Sequence, residues 1–328
     1  MTEKRKDFAT QCLRGAGQVF FMENALTGAL FILAIGYASY AGGNWATTVG
    51  ALVGLIVATL TARLLDCDGD SITSGLFGFN GILVGVAIPT FISVSPQLWF
   101  YVVVGAAMST VVTAALGAMI TKSWGIPGST GPFVLTGWLL VAGAYTFGAL
   151  DVSGDHPELV SDYIKGVTVI PSHIELVQIF FRNIGQVYLL GNEISGAIIL
   201  LGILIASRAA GIAAICGSLI AMATAIALRA EPHLVVQGLY GFSAVLTAMA
   251  VGVIFLKPSP RVVVYALLAT IVTVFLQGAY DVLTEPLGLP SFTAPYVLTM
   301  YLFIAPKKLL APHPHSAVGE HLVTDTNN

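Results

Sequence analysis

Residues 71–121 contain no Asp, Glu, Lys or Arg, and neither do residues 123–150, 232–256 or 286–306. Nothing else in the chain limits its fold so severely. A helix needs about 20 apolar residues to cross a hydrocarbon layer about 30 Å thick, and each stretch is long enough. A water-soluble fold of 328 residues would need a charged surface to cover its core. Only 9% of the residues are charged, against roughly 25% in ordinary soluble domains. Hydrophobic residues make up 56%, and the mean hydropathy is +0.86. The sequence therefore predicts an all-α polytopic membrane protein.

Uninterrupted apolar segments fall at about 26–41, 44–65, 75–94, 97–121 and 130–149, and again at about 192–207, 209–228, 234–256, 262–283 and 290–305. Between the two sets, 151–177 reads as a polar extracytoplasmic linker with Asp151, Asp155, Glu158 and Asp162. Residues 1–10 and 307–328 read as polar tails, the second expected to be disordered. The N-terminus has no apolar run typical of a cleaved leader. Cys12, Cys67 and Cys216 stand apart with neither metal nor CxxC spacing. No cofactor, metal site or nucleic-acid surface is expected.

The two sets of segments repeat each other. RGAGQVFFMENALTGALF (14–31) resembles RNIGQVYLLGNEISGAII (182–199), and LFGFNGILVGVAI (76–88) resembles LYGFSAVLTAMAV (239–251). GIPGSTGPFVLTGWL (125–139) matches GLPSFTAPYVLTMYL (288–302) at 8 of 15 positions. The spacings are 168, 163 and 163 residues, so three blocks recur in one order at nearly one step. The halves run over 1–150 and 178–306. With five spans each, the second half enters the membrane from the opposite side, which predicts inverted repeats around a central pore, with re-entrant or half-length helices. Lys and Arg agree. With the N-terminus inside, eleven fall on the inner side and three (Lys165, Arg182, Arg229) on the outer.

Paired elements supply the candidate chemistry. Two prolines flank Thr130, and two more flank Thr293, inside apolar segments. Proline removes backbone donors there and frees carbonyls that lipid cannot satisfy. The reading is either a kinked helix whose threonine bonds its own backbone or a pore lining. Phe79 with Leu83, and Phe242 with Leu246, are four residues apart and share a helix face, as core or as pathway. Gln18 and Gln186 carry amides that both donate and accept, with Phe21 and Leu189 three positions on. Arg14 and Arg182 read as interface anchors or structural partners. Glu23 and Glu193 sit at non-equivalent repeat positions, which counts against a symmetric role. The ionisable residues fall at segment ends or in loops, so a small neutral solute moving passively is the natural cargo. An ion-coupled transporter is disfavoured by the missing midplane charge. An enzyme is disfavoured because no catalytic cluster lies in a span.

GQVFFMENALTG, FGFNGILVGVAI, GIPGSTGPFVLTGW and LGLPSFTAPYVL resemble the repeated signatures of the urea transporter family, and the likeness runs over about residues 11–305. The resemblance implies a passive urea channel in the cytoplasmic membrane, with both termini cytoplasmic, one pore per protomer and a homotrimer. It places Gln18 and Gln186 at two urea-binding ends. Phe21, Phe79 and Leu83 would line one slot, and Val187, Leu189, Phe242 and Leu246 the other, with Thr130 and Thr293 at the centre. Some members carry an acid where this chain has Gln186, which makes that mouth uncharged here. A channel for another small neutral solute (a short amide, ammonia or water) is the nearest alternative.

Overall fold

The computed structural model describes residues 7–153, 171–306 and 312. Among them the chain is helical, apart from two isolated bridges, Ile92 to Val152 and Leu256 to Pro312. Among the described residues, seven helices of six residues or more make the first half: α1 (Phe8–Gln18), α2 (Ala25–Ala41), α3 (Trp45–Leu64), α4 (Gly69–Ser74), α5 (Gly78–Phe91), α6 (Pro96–Leu116) and α7 (Gly131–Ala144). Seven more follow in the same order: α8 (His173–Gly185), α9 (Glu193–Ala206), α10 (Arg208–Ala227), α11 (Pro232–Gln237), α12 (Phe242–Met249), α13 (Pro260–Thr284) and α14 (Ala294–Ile304).

Nine of the ten apolar segments correspond to α2, α3, α5, α6, α7, α9, α10, α13 and α14 within about five residues, while 234–256 takes in most of α11, all of α12 and the π turn after it. Four helical stretches are long and apolar enough to cross a membrane: Trp45–Leu64, Pro96–Trp124, Arg208–Ala227 and Pro260–Leu287. The others are shorter; α2 has 17 residues, or about 26 Å at 1.5 Å per residue. The pair His173–Tyr188 and Glu193–Ala206 passes the same test only together, bent by 73°.

Three helices, the short α4 and the longer α1 and α8, lie outside the ten segments. Charged residues of the longer two, Arg14 in α1 and Glu175 and Arg182 in α8, interrupt the apolar runs there. The start of α8 was nonetheless legible. Ser172 and Glu175 form a capping box, each side chain bonding the other's backbone N–H. α8 thus begins inside the stretch expected as linker. The rest of that linker, 154–170, and the C-terminal tail except Pro312 lie outside the described residues.

Caps repeat with the helices. Asn24 and Asn192 accept from Thr27 and Ser195 N–H at the starts of α2 and α9 (3.1 and 3.0 Å). Ser95 and Ser259 do the same for α6 and α13, each followed by proline at a position that needs no donor. The change of repeat spacing also has a local cause. α2 and its connection Gly42–Asn44 hold five more residues than α9 and Ser207, which accounts for 168 becoming 163. A π-helical turn at Ala250–Ile254 then raises the step to 164, and one at Gly117–Thr121 restores 163.

The halves meet through reciprocal contacts. Thr27 Oγ1 donates to the Gly202 carbonyl, and Ser195 Oγ donates to the Ala34 carbonyl, both at 2.9 Å. Each pair becomes the other under the same 168-residue step, the signature of a two-fold contact. Because Thr27 meets Gly202 while Ala34 meets Ser195, the equivalent helices α2 and α9 run antiparallel. A two-fold axis perpendicular to the helices relates them in that way. Phe20 and its counterpart Tyr188 pack together with ring centroids 6.1 Å apart. Within the first half, glycines bring α3 and α5 into backbone contact. A Cβ at Gly54 would overlap the Gly81 carbonyl, and one at Gly85 the Gly50 carbonyl. Small residues are the usual means of close helix approach in lipid, where apolar burial alone gives little drive.

Candidate functional site

The short helices build the site. At Gly75 and Gly238 the chain turns left-handed (φ 87° and 81°) and lies against the backbone of α1 and α8, where a side chain would collide. The turn aims the last carbonyls of α4 and α11 at those helices. Arg14 Nη1 donates to the Thr73 carbonyl, and Arg182 Nη1 donates to that of Val236, both at 3.1 Å. Gln18 Nε2 donates to the Ser74 carbonyl, and Gln186 Nε2 to that of Gln237, both at 2.9 Å. The sequence offered these amides as both donors and acceptors. One N–H of each amide is committed to the protein, and the rest of the amide, its oxygen above all, is what it presents.

Arg14 and Arg182 are structural partners. Each also meets a glutamate at 3.1 Å, Glu23 and Glu193 respectively. Against the expectation from their register, the two acids play the same part. One comes from the loop after α1, the other from the first turn of α9, and the arginine's length absorbs the difference. Arg182 holds Glu193 through both Nε (3.2 Å) and Nη2 (3.1 Å), and Glu193 is 32% exposed where Glu23 is 50%. Arg182→Met should therefore lower the melting temperature more than Arg14→Met. The expected loss is about 1–3 kcal/mol for Arg182, since a half-buried carboxylate loses charged hydrogen bonds. A thermal-shift assay that ranks Arg14→Met as the more damaging change would contradict this.

Just past these glutamines the backbone is strained in matching places. Phe21 (φ 63°) and Leu189 (φ 57°) are left-handed without being glycine, as are Ser129 (46°) and Phe292 (45°) beside the central threonines. Such a conformation costs roughly 1–2 kcal/mol per residue, and it persists where the surroundings fix it, often at functional sites.

Thr130 and Thr293 immediately precede α7 and α14, make no capping bond to them, and meet each other instead: Thr293 Oγ1 donates to Thr130 Oγ1 at 2.7 Å, both residues 2% exposed. The threonines thus bond across the halves. Of the two readings of the proline breaks, a helix kinked around a self-bonded threonine is not the arrangement found. Around them lie two more exchanged pairs. Ser129 Oγ and Tyr296 OH are 2.7 Å apart, and the rings of their counterparts, Phe292 and Phe133, are 4.8 Å apart. Phe79, Leu83, Val187, Phe242 and Leu246 are buried in one continuous cluster, with Phe21 and Leu189 half-buried against it.

Three carbonyls of the breaks are held by side chains of the protein. Trp138 Nε1 donates to the Pro290 carbonyl (2.8 Å), Tyr145 OH to that of Gly288 (3.0 Å), and Asn80 Nδ2 to that of Ser129 (3.3 Å). The sequence reading missed Asn80, Tyr296, Phe292 and the equivalent rings Phe91 and Phe255. Phe255 packs edge-on against Phe21 (5.7 Å), and Phe91 against Phe292 (5.8 Å). Phe292 was visible as the alignment partner of Ser129. Phe91 and Phe255 were not, because a π turn shifts their register. Among the described residues no group of three or more His, Cys, Asp or Glu could hold a metal.

A family model described as "Urea transporter" matches residues 9–308. Among curated proteins, "Urea transporter 1" of Capra hircus is 29% identical over 309 residues, 90% of this chain and 76% of that protein. "Urea transporter 1" of Ovis aries gives the same figures, and that of Rattus norvegicus is 29% identical over 310 residues with the same coverage.

Proposed function

The chain belongs to the urea transporter family, and from that membership we propose that it carries urea passively across the membrane it spans, as a transporter and not an enzyme. The pore runs between two inverted halves, with Gln18, Phe21, Phe79 and Leu83 on one side of the paired threonines and Gln186, Val187, Leu189, Phe242 and Leu246 on the other. The observation that carries this reading is the hydrogen bond between Thr130 and Thr293, which joins the start of one broken helix to the start of its counterpart. The antiparallel pairing of α2 with α9 supports the inversion.

The chemistry fits a flat, neutral, donor-rich solute. Urea has four N–H donors and one carbonyl. Each glutamine presents an oxygen, and the threonine pair offers two more, while aromatic and leucine side chains cover the faces. An ion entering such a lining would lose its hydration with no charge to replace it. The excess of Lys and Arg on one side supports cytoplasmic termini and a cytoplasmic-membrane location. The family resemblance supports a homotrimer with one pore per protomer.

In liposomes, stopped-flow light scattering should record faster urea entry in the absence of any ion gradient. Flux that requires a sodium or proton gradient would make the protein a coupled transporter instead. In the same assay Gln18→Leu should slow urea several-fold, since the change removes the mouth's acceptor and leaves its shape. An unaltered rate would take Gln18 out of the path.

A further inference from the structure

The two halves differ in how they hold the start of their last helix. In the first half Asn80 is fully buried and fully used. Its Nδ2 donates to Thr113 Oγ1 (3.2 Å) and to the Ser129 carbonyl (3.3 Å), and its Oδ1 accepts from Phe133 N–H (3.1 Å), near the start of α7. In the second half the equivalents are Ser243 for Asn80, Tyr296 for Phe133 and, across the π turn, Gln277 for Thr113. A serine side chain cannot span what an asparagine amide spans. Ser243 Oγ and Gln277 Oε1 are buried without a hydrogen-bond partner among the described residues.

The orphan atoms share one layer. Thr273 Oγ1 on α13 donates towards Thr247 Oγ1 on α12 (2.8 Å) and Thr299 Oγ1 on α14 (3.0 Å). α13 runs opposite to both neighbours. Further along it, Gly278 faces the Tyr240 ring just before α12, and Gln277 Nε2 donates to Ser291 Oγ just before α14 (2.7 Å). One turn from the threonine layer therefore leads to Ser243 on α12, to Gln277 on α13 and to the first turn of α14. Gln277 cannot turn its oxygen away freely, because its Nε2 is tied to both Ser291 and Asp281 Oδ1 (2.9 Å).

We infer that the second half binds one internal water molecule between Ser243 Oγ, Gln277 Oε1 and the Tyr296 N–H, in the place the Asn80 amide fills in the first half. The water donates to Gln277 Oε1, exchanges a hydrogen bond with the Ser243 hydroxyl and accepts from Tyr296 N–H. Three partners lie within the two to four that buried waters make. Exchanging asparagine for serine frees close to the volume of one water, about 30 Å³. Buried polar groups are as a rule paired, so two orphans one turn from the same threonine layer point to a shared partner. The water braces the first turn of α14, the helix that starts immediately after Thr293.

A crystal structure of the intact protein, at a resolution that orders solvent, should show a water peak within hydrogen-bond distance of Ser243 Oγ and Gln277 Oε1, and none beside Asn80. A layer closed by a direct Ser243–Gln277 bond, with no peak, would overturn the assignment. The variant Ser243→Asn provides a second reading. Its amide should displace the water and bond Tyr296 N–H, with the peak lost and the melting temperature unchanged or higher. A peak that persists beside the new asparagine, or a folded variant whose melting temperature falls, would count against the site.

Discussion

Replacing either central threonine by valine should slow urea flux by roughly 10- to 100-fold while the protein stays folded. Valine keeps the shape of threonine and removes only the hydroxyl. Thr293 Oγ1 and Thr130 Oγ1 bond each other at 2.7 Å in a setting where each residue is 2% exposed. In the proposed pore the two oxygens are what a dehydrated urea meets halfway, and a lost hydrogen bond there costs about 1–3 kcal/mol at the top of the barrier. Thr136→Val is the control. Thr136 is also buried, and its hydroxyl has no partner among the described residues, so the same chemical change should leave flux unaltered. Stopped-flow measurements on reconstituted protein decide the matter. If Thr130→Val and Thr293→Val both transport at the rate of the parent, the constriction lies elsewhere.

The largest effect on stability should come from Gly28→Ala and Gly196→Ala. These equivalent glycines, on α2 and α9, press against the backbone of α1 and α8. A Cβ at Gly28 would overlap the Leu13 carbonyl, and one at Gly196 that of Phe181. Both neighbours are helix backbone, which cannot swing aside as a side chain can. Alanine is the better helix former by up to about 1 kcal/mol. The overlap should outweigh that gain, because overpacking costs typically 1–3 kcal/mol and more where backbone must shift. The expected result is a loss of folded protein in size-exclusion profiles after mild heating. Gly36→Ala, on the same helix with nothing within 4 Å of the added carbon, should be neutral or slightly stabilising. Equal damage from Gly36→Ala would mean that α2 tolerates no alanine for some other reason than contact with α1.

The sequence alone settled that the chain lives in a membrane, because charge-free runs of that length leave no surface for water. It also exposed the duplication, because blocks such as GQV and P-x-x-T-x-P recur in order, and it identified the central threonines as a pair. Periodicity and composition are local properties, and a chain written twice displays them twice. Only the tertiary structure decided what those residues touch. The glutamines each donate one N–H to the Ser74 or Gln237 carbonyl because left-handed glycines bring α4 and α11 within reach. The unequal glutamates meet equivalent arginines because side-chain reach can cover a shift in register. Asn80 and Ser243 are one repeat position with different consequences, and nothing in their spacing says which polar atoms find partners. Partnership depends on how helices far apart in the chain cross, and sequence spacing carries no record of those distances.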